Sequence, residues 1–353
     1  MSVEHSLEAQ VAELAIRLMA VESTSGHEQA VVTVAEQLLA SRGWRTERIA
    51  VGNGRDAILA QVHDEAVVTL STHLDTVPPY IPPRLDGDTL HGRGACDAKG
   101  IAASMILAAE RLRARDVPVA LLFVVGEETT HDGAHAANAH PTASRILING
   151  EPTESTLAVG TKGAMRALVR TTGRAAHSAY PEMGHSATRD LVQLLATLDD
   201  VEWPTDPVLG PTTVNIGMLG GGVADNVMAP SAEARLMLRL VTPPADVWPL
   251  VTRWVGDRAT VEQGITVPPV RLGTLPGFPT SVAAFATDIP ALTNWGTPYL
   301  FGPGSIHVAH TAHEHVSVRE LAAAVDAYER IALAALEREG LTDYLPPSQS
   351  QSP

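Results

Sequence analysis

Several short stretches of this chain are apolar at nearly every position rather than at alternate ones: Ala57–Val62 and Ala66–Leu70, interrupted only by Gln61 and Thr69, and Val119–Val125 and Ile146–Ile148. A strand that is apolar on both faces must be covered on both, and helices between such strands supply that cover. The segments around them read as helices. Leu7, Val11, Leu14 and Leu18 recur at helical spacing. Ser25 with Glu28 has the form of a capping box opening a helix through Val31, Val34 and Leu38, with Gly43 placed as its C-terminal glycine. An Ala-rich helix is expected from Gly100 to Arg113. The pattern predicts an α/β fold, with a sheet sandwiched between helical layers. At 45% hydrophobic and 18% charged residues the chain can bury such a core, and with aromatics at 4% it must do so with Val, Leu, Ile and Ala.

The chain has 353 residues, which at roughly 150 per domain suggests two domains or one with a large insertion. From about Thr161 to Val267 the pattern changes to strand, helix, two strands, helix, strand. The segments are Met165–Thr171, Ser186–Leu198, Thr212–Leu219, Ala232–Leu240, Ala245–Val255 and Ala259–Ile265. Amphipathic strands with helices on one face predict an inserted α+β lid with a four-stranded sheet. Residues 1–160 and 268–345 would then form one discontinuous domain and 161–267 the lid. Gly220, Gly221 and Gly222 read as a loop. A final helix is expected from Val318, capped by Ser317 with Glu320, with Leu321, Val325, Tyr328 and Ala332 as its buried stripe. The tail at 346–353, rich in Pro, Ser and Gln, is expected to be disordered.

Charge and cysteine content exclude several classes. Forty acids against 25 bases give −15, which argues against a nucleic-acid binder needing phosphate-neutralising Lys and Arg. The single cysteine, Cys96, cannot form an internal disulfide and reads as a small buried neighbour. The longest apolar run, Val117 to Val125, falls far short of the ~20 residues that span a membrane. The N-terminus shows no signal-peptide pattern, so a cytoplasmic protein is expected. There is no His-Glu-x-x-His, no Gly-x-Ser-x-Gly and no phosphate-loop signature.

What remains is a set of His, Asp and Glu residues placed just after the expected strands, where sites form in α/β sheets. In His73-Leu74-Asp75, residues two apart in extended chain point the same way, so Asp75 can sit against the His73 ring and fix its tautomer. Asp97, in Gly92-Arg93-Gly94-Ala95-Cys96-Asp97-Ala98-Lys99-Gly100, reads on its own as a helix cap. Glu127-Glu128 follows the most apolar strand, where two acids are costly unless something cationic compensates them; a metal would, and a solvated turn is the plain alternative. Glu151, in Asn149-Gly150-Glu151-Pro152-Thr153, follows another strand. Finally, His307, His310, His313 and His315 lie within nine residues, which suggests metal without saying which of them binds it.

Together, HLDTVP, GRGACDAKG, GEET, GEPT, AAHSAYPEMG and FGPGSIHVAHTAHEHV resemble one family. It is the co-catalytic metallohydrolases that include acetylornithine deacetylase, succinyl-diaminopimelate desuccinylase, aminoacylase and glutamate carboxypeptidase. The resemblance runs from the first helix to about residue 338. It implies two divalent ions, Zn²⁺ with Co²⁺ or Mn²⁺ as alternatives, in a mixed nitrogen and oxygen site. His73, Asp97 and Glu151 would hold one ion, and His310, Asp97 and Glu128 the other, with Asp97 bridging. Glu127 would be the general base, Asp75 would orient His73, and a cis peptide would join Asp97 to Ala98. His177 in the lid would stabilise the oxyanion, acting in the active site of the partner subunit of a homodimer. Asn226 and Arg239 would bind a substrate carboxylate, with Lys162 and Thr287 as weaker candidates. Two departures stand out: His313 replaces the family's Asp or Asn before Glu314, and Thr287-Asp288-Ile289-Pro290 lacks the arginine of the usual Ser-Asp-Gly-Arg.

The resemblance implies hydrolysis of the amide bond of a small N-acyl amino acid, most like acetylornithine deacetylase. An exopeptidase or dipeptidase of the same fold is the alternative. A non-catalytic binding relative is a third reading, against which stand the retained Glu127 and Asp97. No nucleic-acid or membrane partner is expected.

Overall fold

The computed structural model describes residues 6–63 and 65–346. All but Pro346 of the tail expected at 346–353 lies outside the described residues. The chain forms two compact units, one built from the described residues up to Val159 with Leu272–Ser281 and the residues from Thr287, the other from Gly160–Arg271 with Val282–Ala286.

The first unit holds a six-stranded sheet in the order Arg45–Gly52, Arg55–Gln61, Val119–Val124, Val68–His73, Ile146–Asn149, Thr297–Leu300. The first two pairs in this order are antiparallel, and the last four strands, beginning with Val119–Val124, are mutually parallel. Val68–His73, Val119–Val124 and Ile146–Asn149 are buried at every position. Their residues feed two separate cores in turn. Val119, Leu121 and Phe123 join a large cluster with the helices Leu7–Met19, Lys99–Ala114 and Val318–Arg338. Ala120, Leu122 and Val124 join a smaller cluster with Ala134 and Ala137 of the helix Asp132–Asn138 and with Leu292 and Trp295. The continuous apolar runs thus have the physical cause inferred for them, which is cover on both faces.

Two helix ends follow the sequence and one departs from it. Ser317 caps Val318–Arg338, its hydroxyl accepting from Glu320 N at 3.3 Å, and Leu321, Val325, Tyr328 and Ala332 are buried. Gly43 lies just past the helix Gln29–Ser41 at φ +79°, as a C-terminal glycine should. The capping box at Ser25 and Glu28 is not formed. The helix starts at Gln29 without a side-chain cap, because both side chains are engaged elsewhere: Ser25 donates to Asp75, and Glu28 pairs with Arg55.

The second unit holds a four-stranded antiparallel sheet in the order Thr213–Gly221, Ser231–Leu240, Gly163–Thr172, Thr260–Val267. Burial alternates along the two central strands. Their inward residues, including Met165, Val169, Leu236 and Leu238, pack on Leu191 and Leu194 of the helix Ala187–Leu195 and on Val247 and Val251 of Pro244–Val255. Gly220 and Gly221, expected in a loop, lie instead in the strand Thr213–Gly221, opposite Glu233 and Ala232. Backbone pairing holds them there, since a glycine can join a ladder without contributing a side chain.

Candidate metal centre

The parallel strands deliver their C-terminal residues to one edge of the first unit. His73 ends one strand in register with Val124 of the next, and Asn149 of the third lies beside Ser71. The loops that follow carry Asp75, Glu127, Glu128 and Glu151. Asp97 arrives on the loop before Lys99–Ala114. It does not cap that helix, whose N-cap is Ala98 with no side-chain bond. The Asp97–Ala98 peptide is cis.

Two groups of ligand-type atoms result, each lying within 4.8 Å of one another: His73, Asp97 and Glu151, and Asp97, Glu128 and His310. Asp97 belongs to both. Its Oδ1 lies 3.0 Å from His73 Nε2 and its Oδ2 3.1 Å from His310 Nε2. His310 Nε2 also meets Glu128 Oε1 at 3.0 Å, and Glu151 Oε2 stands 3.9 Å from His73 Nε2. Of the clustered histidines near the C-terminus, His310 enters the group. His313 is exposed and stands outside it.

The electrostatics fit a centre built for cations. Burial, reinforced by the charge of Glu151, pushes the Glu127 carboxyl well above its usual range, and burial does the same to Glu151. Burial raises Glu128 as well, although His310 works against it. Burial would raise Asp97 too, but hydrogen bonds with His310 and His73 outweigh it and hold Asp97 low. Burial would lower His73, yet bonds with Asp75 and Asp97 hold it well above 6.5; the same kind of partners, Asp97 and Glu128, bring His310 to about 10. Glu151 Oε1 is buried with no hydrogen-bond partner. Two imidazoles and three carboxylates, with a buried oxygen unsatisfied, form a donor set suited to divalent metal.

Asp75 does more than orient a histidine. His73 Nδ1 lies 2.9 Å from the Asp75 carbonyl and 3.5 Å from its Oδ1. Asp75 Oδ1 also accepts from the Glu127 amide at 3.1 Å, and Oδ2 from the Glu128 amide at 3.2 Å. Glu314 plays a similar part for the Asp97 loop. Its Oε1 accepts from the amides of Gly94 at 2.9 Å and of Cys96 and Asp97 at 3.3 Å, while Oε2 pairs with Arg93 Nη1 at 2.5 Å. FGPGSI packs where it does because two of its glycines leave no room for a side chain. A Cβ on Gly302 would stand 2.3 Å from the Glu151 carbonyl, and one on Gly304 2.6 Å from Cys96 Cβ.

The structuring roles of Ser25, Arg93 and Glu314 are absent from the sequence reading. For Ser25 a signal existed: Gly26 follows it at once, and glycine is a poor residue with which to begin a helix. Thr287, in the first unit, is 1% exposed, and its Oγ1 accepts from Ile289 N at 3.3 Å. The remaining candidates lie in the second unit. Lys162 is buried, with Nζ donating to the Pro211 carbonyl at 2.6 Å. His177 and Asn226 adjoin one another, since Ser178 N donates to Asn226 O at 2.9 Å and His177 bridges Val227. The His177 ring accepts from Ala179 N at 3.1 Å. Arg239 lies on the strand Ser231–Leu240.

Comparison with known proteins agrees with this geometry. The description of peptidase family M20/M25/M40 matches residues 69–334. A peptidase M20 domain-containing protein of Schizosaccharomyces pombe is 36% identical over 329 residues, covering 90% of this chain and 82% of that one. A probable carboxypeptidase of Paracoccidioides lutzii is 35% identical over 370 residues, covering 90% and 84%. Among solved structures, a tripeptidase from Staphylococcus aureus superposes with a TM-score of 0.78 at 18% identity, covering 93% of this chain and 98% of the other. A Bacillus subtilis protein described as a dinuclear metal binding peptidase gives 0.68 at 16% identity, covering 94% and 99%. A family match across most of the chain and relatives above 30% identity, together with the two ligand groups found here, converge: the chain belongs to peptidase family M20/M25/M40 and is a metal-dependent hydrolase.

Proposed function

We propose that this enzyme is a peptidase of the carboxypeptidase or dipeptidase kind, cleaving the amide bond of a short peptide or N-acyl amino acid. The carrying observation is the pair of ligand groups that share Asp97, with the Glu127 carboxyl beside them and in neither. His73, Asp97 and Glu151 would hold one divalent ion and Asp97, Glu128 and His310 a second, Zn²⁺ being best suited to the set. Bound there, such ions would polarise the scissile carbonyl and make water acidic enough to be deprotonated near neutral pH. Glu127 takes that proton as general base and returns it to the leaving amine. Asp75 holds the Glu127 and Glu128 amides, and so sets where both carboxyls stand.

The peptidase reading is preferred over acetylornithine deacetylation because relatives at about 35% identity are described as probable carboxypeptidases. The deacylase reading rests on motif likeness in GEPT, HLDTVP and FGPGSI. The first unit would be catalytic and the second a lid that pairs with its copy. His177 would donate to the oxyanion from the partner's lid, and Asn226 and Arg239 would take the substrate carboxylate. Exposed Ile216, Met218 and Leu219 on the edge strand Thr213–Gly221 support the pairing. Among the described residues no helix is long and apolar enough to cross a membrane. A cytoplasmic location belongs to the same proposal.

Purified enzyme loaded with Zn²⁺ should hydrolyse one or more dipeptides or carboxyl-terminal residues faster than acetylornithine, acetylcitrulline or succinyl-diaminopimelate. The opposite ranking would restore the deacylase. Glu127→Gln should lower turnover by at least about 10²-fold while leaving metal content, measured by atomic emission, unchanged. Loss of metal along with activity would make Glu127 a ligand.

A further inference from the structure

We infer that Ser25 is a positioning residue for the catalytic centre, acting through Asp75; the inference rests on the roles proposed above for Glu127 and Glu128. Asp75 is fully buried, and its carboxylate is the point at which three elements meet. Oδ1 serves the Glu127 amide and stands beside His73 Nδ1, while Oδ2 serves the Glu128 amide. Of these contacts Oδ2 has only one, the Glu128 amide at 3.2 Å. A fourth contact gives it a second donor. Ser25 Oγ donates to Oδ2 at 2.7 Å, shorter than either amide bond, and comes from outside the sheet, in the segment between the first two helices.

That segment is itself fastened. Ser25 N donates to Thr76 O at 3.2 Å, Thr76 N to Ser23 O at 3.0 Å, and Ser23 Oγ to Leu74 O at 2.7 Å. Lys99, from the helix that follows Asp97, donates through Nζ to Val21 O at 2.7 Å. The far end reaches the same acidic turn by a second route. Buried Glu28 accepts from Gly26 N at 2.8 Å and pairs with Arg55 through both oxygens at 2.8 Å. Arg55 in turn pairs with Asp132 at 2.6 Å, four residues beyond Glu128. The segment from Val21 to Glu28 is therefore a brace gripping the Glu127–Glu128 turn at both ends, and Ser25 is its contact with the group that holds the two amides. Helix capping, the ordinary use of a serine ahead of a helix, does not account for this hydroxyl, since the helix begins at Gln29 without it.

Ser25→Thr and Ser25→Val test the inference as a nearly isosteric pair that differs in the hydroxyl. With Val, kcat on the best peptide substrate should fall about tenfold, in the range usual for groups that orient metal-site residues, with KM and midpoint of thermal unfolding little changed. With Thr, kcat should return to within about twofold of the parent. The second readout needs neither substrate nor turnover: in ¹⁵N-labelled protein, amide hydrogen exchange at Glu127 and Glu128 should quicken about tenfold with Val and not with Thr. Parental exchange in the Val variant would overturn the inference, as would a loss of kcat that Thr fails to restore. If no peptide is cleaved by the parent enzyme, the proposed function fails, and amide exchange still decides the role of Ser25.

Discussion

His310 reaches the centre from a backbone in the left-handed region, at φ +62°, in a stretch carrying three other histidines. That geometry, rather than residue type, singles it out. Its Nε2 faces Asp97 and Glu128, whereas His313 is exposed, its amide bonded to Thr311 Oγ1. His310→Ala should therefore deplete one of two bound ions, and His313→Ala should leave both, as counted by atomic emission after dialysis. The reverse pattern would mean that the ligand is displaced by three residues along the chain. The retained Glu314 explains why the register holds despite the substitution at 313. Its carboxylate is tied to Arg93 and three amides of the Asp97 loop, so the end of the histidine stretch is anchored independently of residue 313.

At the scale of elements, the turn from Glu127 to Asp132 is pinned to the segment around Asp288 by one further contact, His131 Nδ1 donating to Asp288 Oδ1 at 2.8 Å. Burial would lower the His131 pKa, but this bond and the charge of Asp288 outweigh it and raise it above 6.5. A group whose folded pKa is raised contributes stability that is fully present below the unfolded pKa and lost as pH rises through the folded one. Replacing His131 with Asn suits the left-handed backbone there, φ +55°, and removes the titration. The variant should be less stable than its parent at pH 6, with the gap closing towards pH 9, by urea unfolding at matched metal content. A gap independent of pH would assign the difference to packing alone. Elements of this kind mark the limit of what the sequence reveals. Strands and helices were legible because burial on one face or two leaves a period in the chain, and the ligand-bearing ends followed from where parallel strands stop. The contacts of Ser25, Glu28 and Glu314 were not, because each spans dozens to hundreds of residues and leaves no period. At Ser25 a local capping pattern pointed to a different structure.

At the scale of the whole molecule, the open question is whether two copies share a site. The edge strand Thr213–Gly221 is exposed along most of its length, and its Ile216, Met218 and Leu219 are 41%, 61% and 56% exposed. An apolar, unpaired edge invites a second strand unless something covers it. A two-fold pairing of lids would provide that cover, since such an interface uses the same surface on both copies. If the partner's lid supplies the oxyanion donor, His177→Ala should lower kcat by about 10²–10³ with metal content unchanged. The deciding measurement mixes His177→Ala protomers with Glu127→Gln protomers under conditions of proven subunit exchange. In a mixed dimer the site of the His177→Ala protomer keeps its own Glu127 and receives His177 from its partner, while the other site lacks both groups. With half of the dimers mixed and one of two sites intact in each, activity should rise from near zero to about a quarter of the parent value. If activity stays near zero while exchange is complete, His177 serves its own chain or takes no part in the reaction, and the shared-site reading is lost.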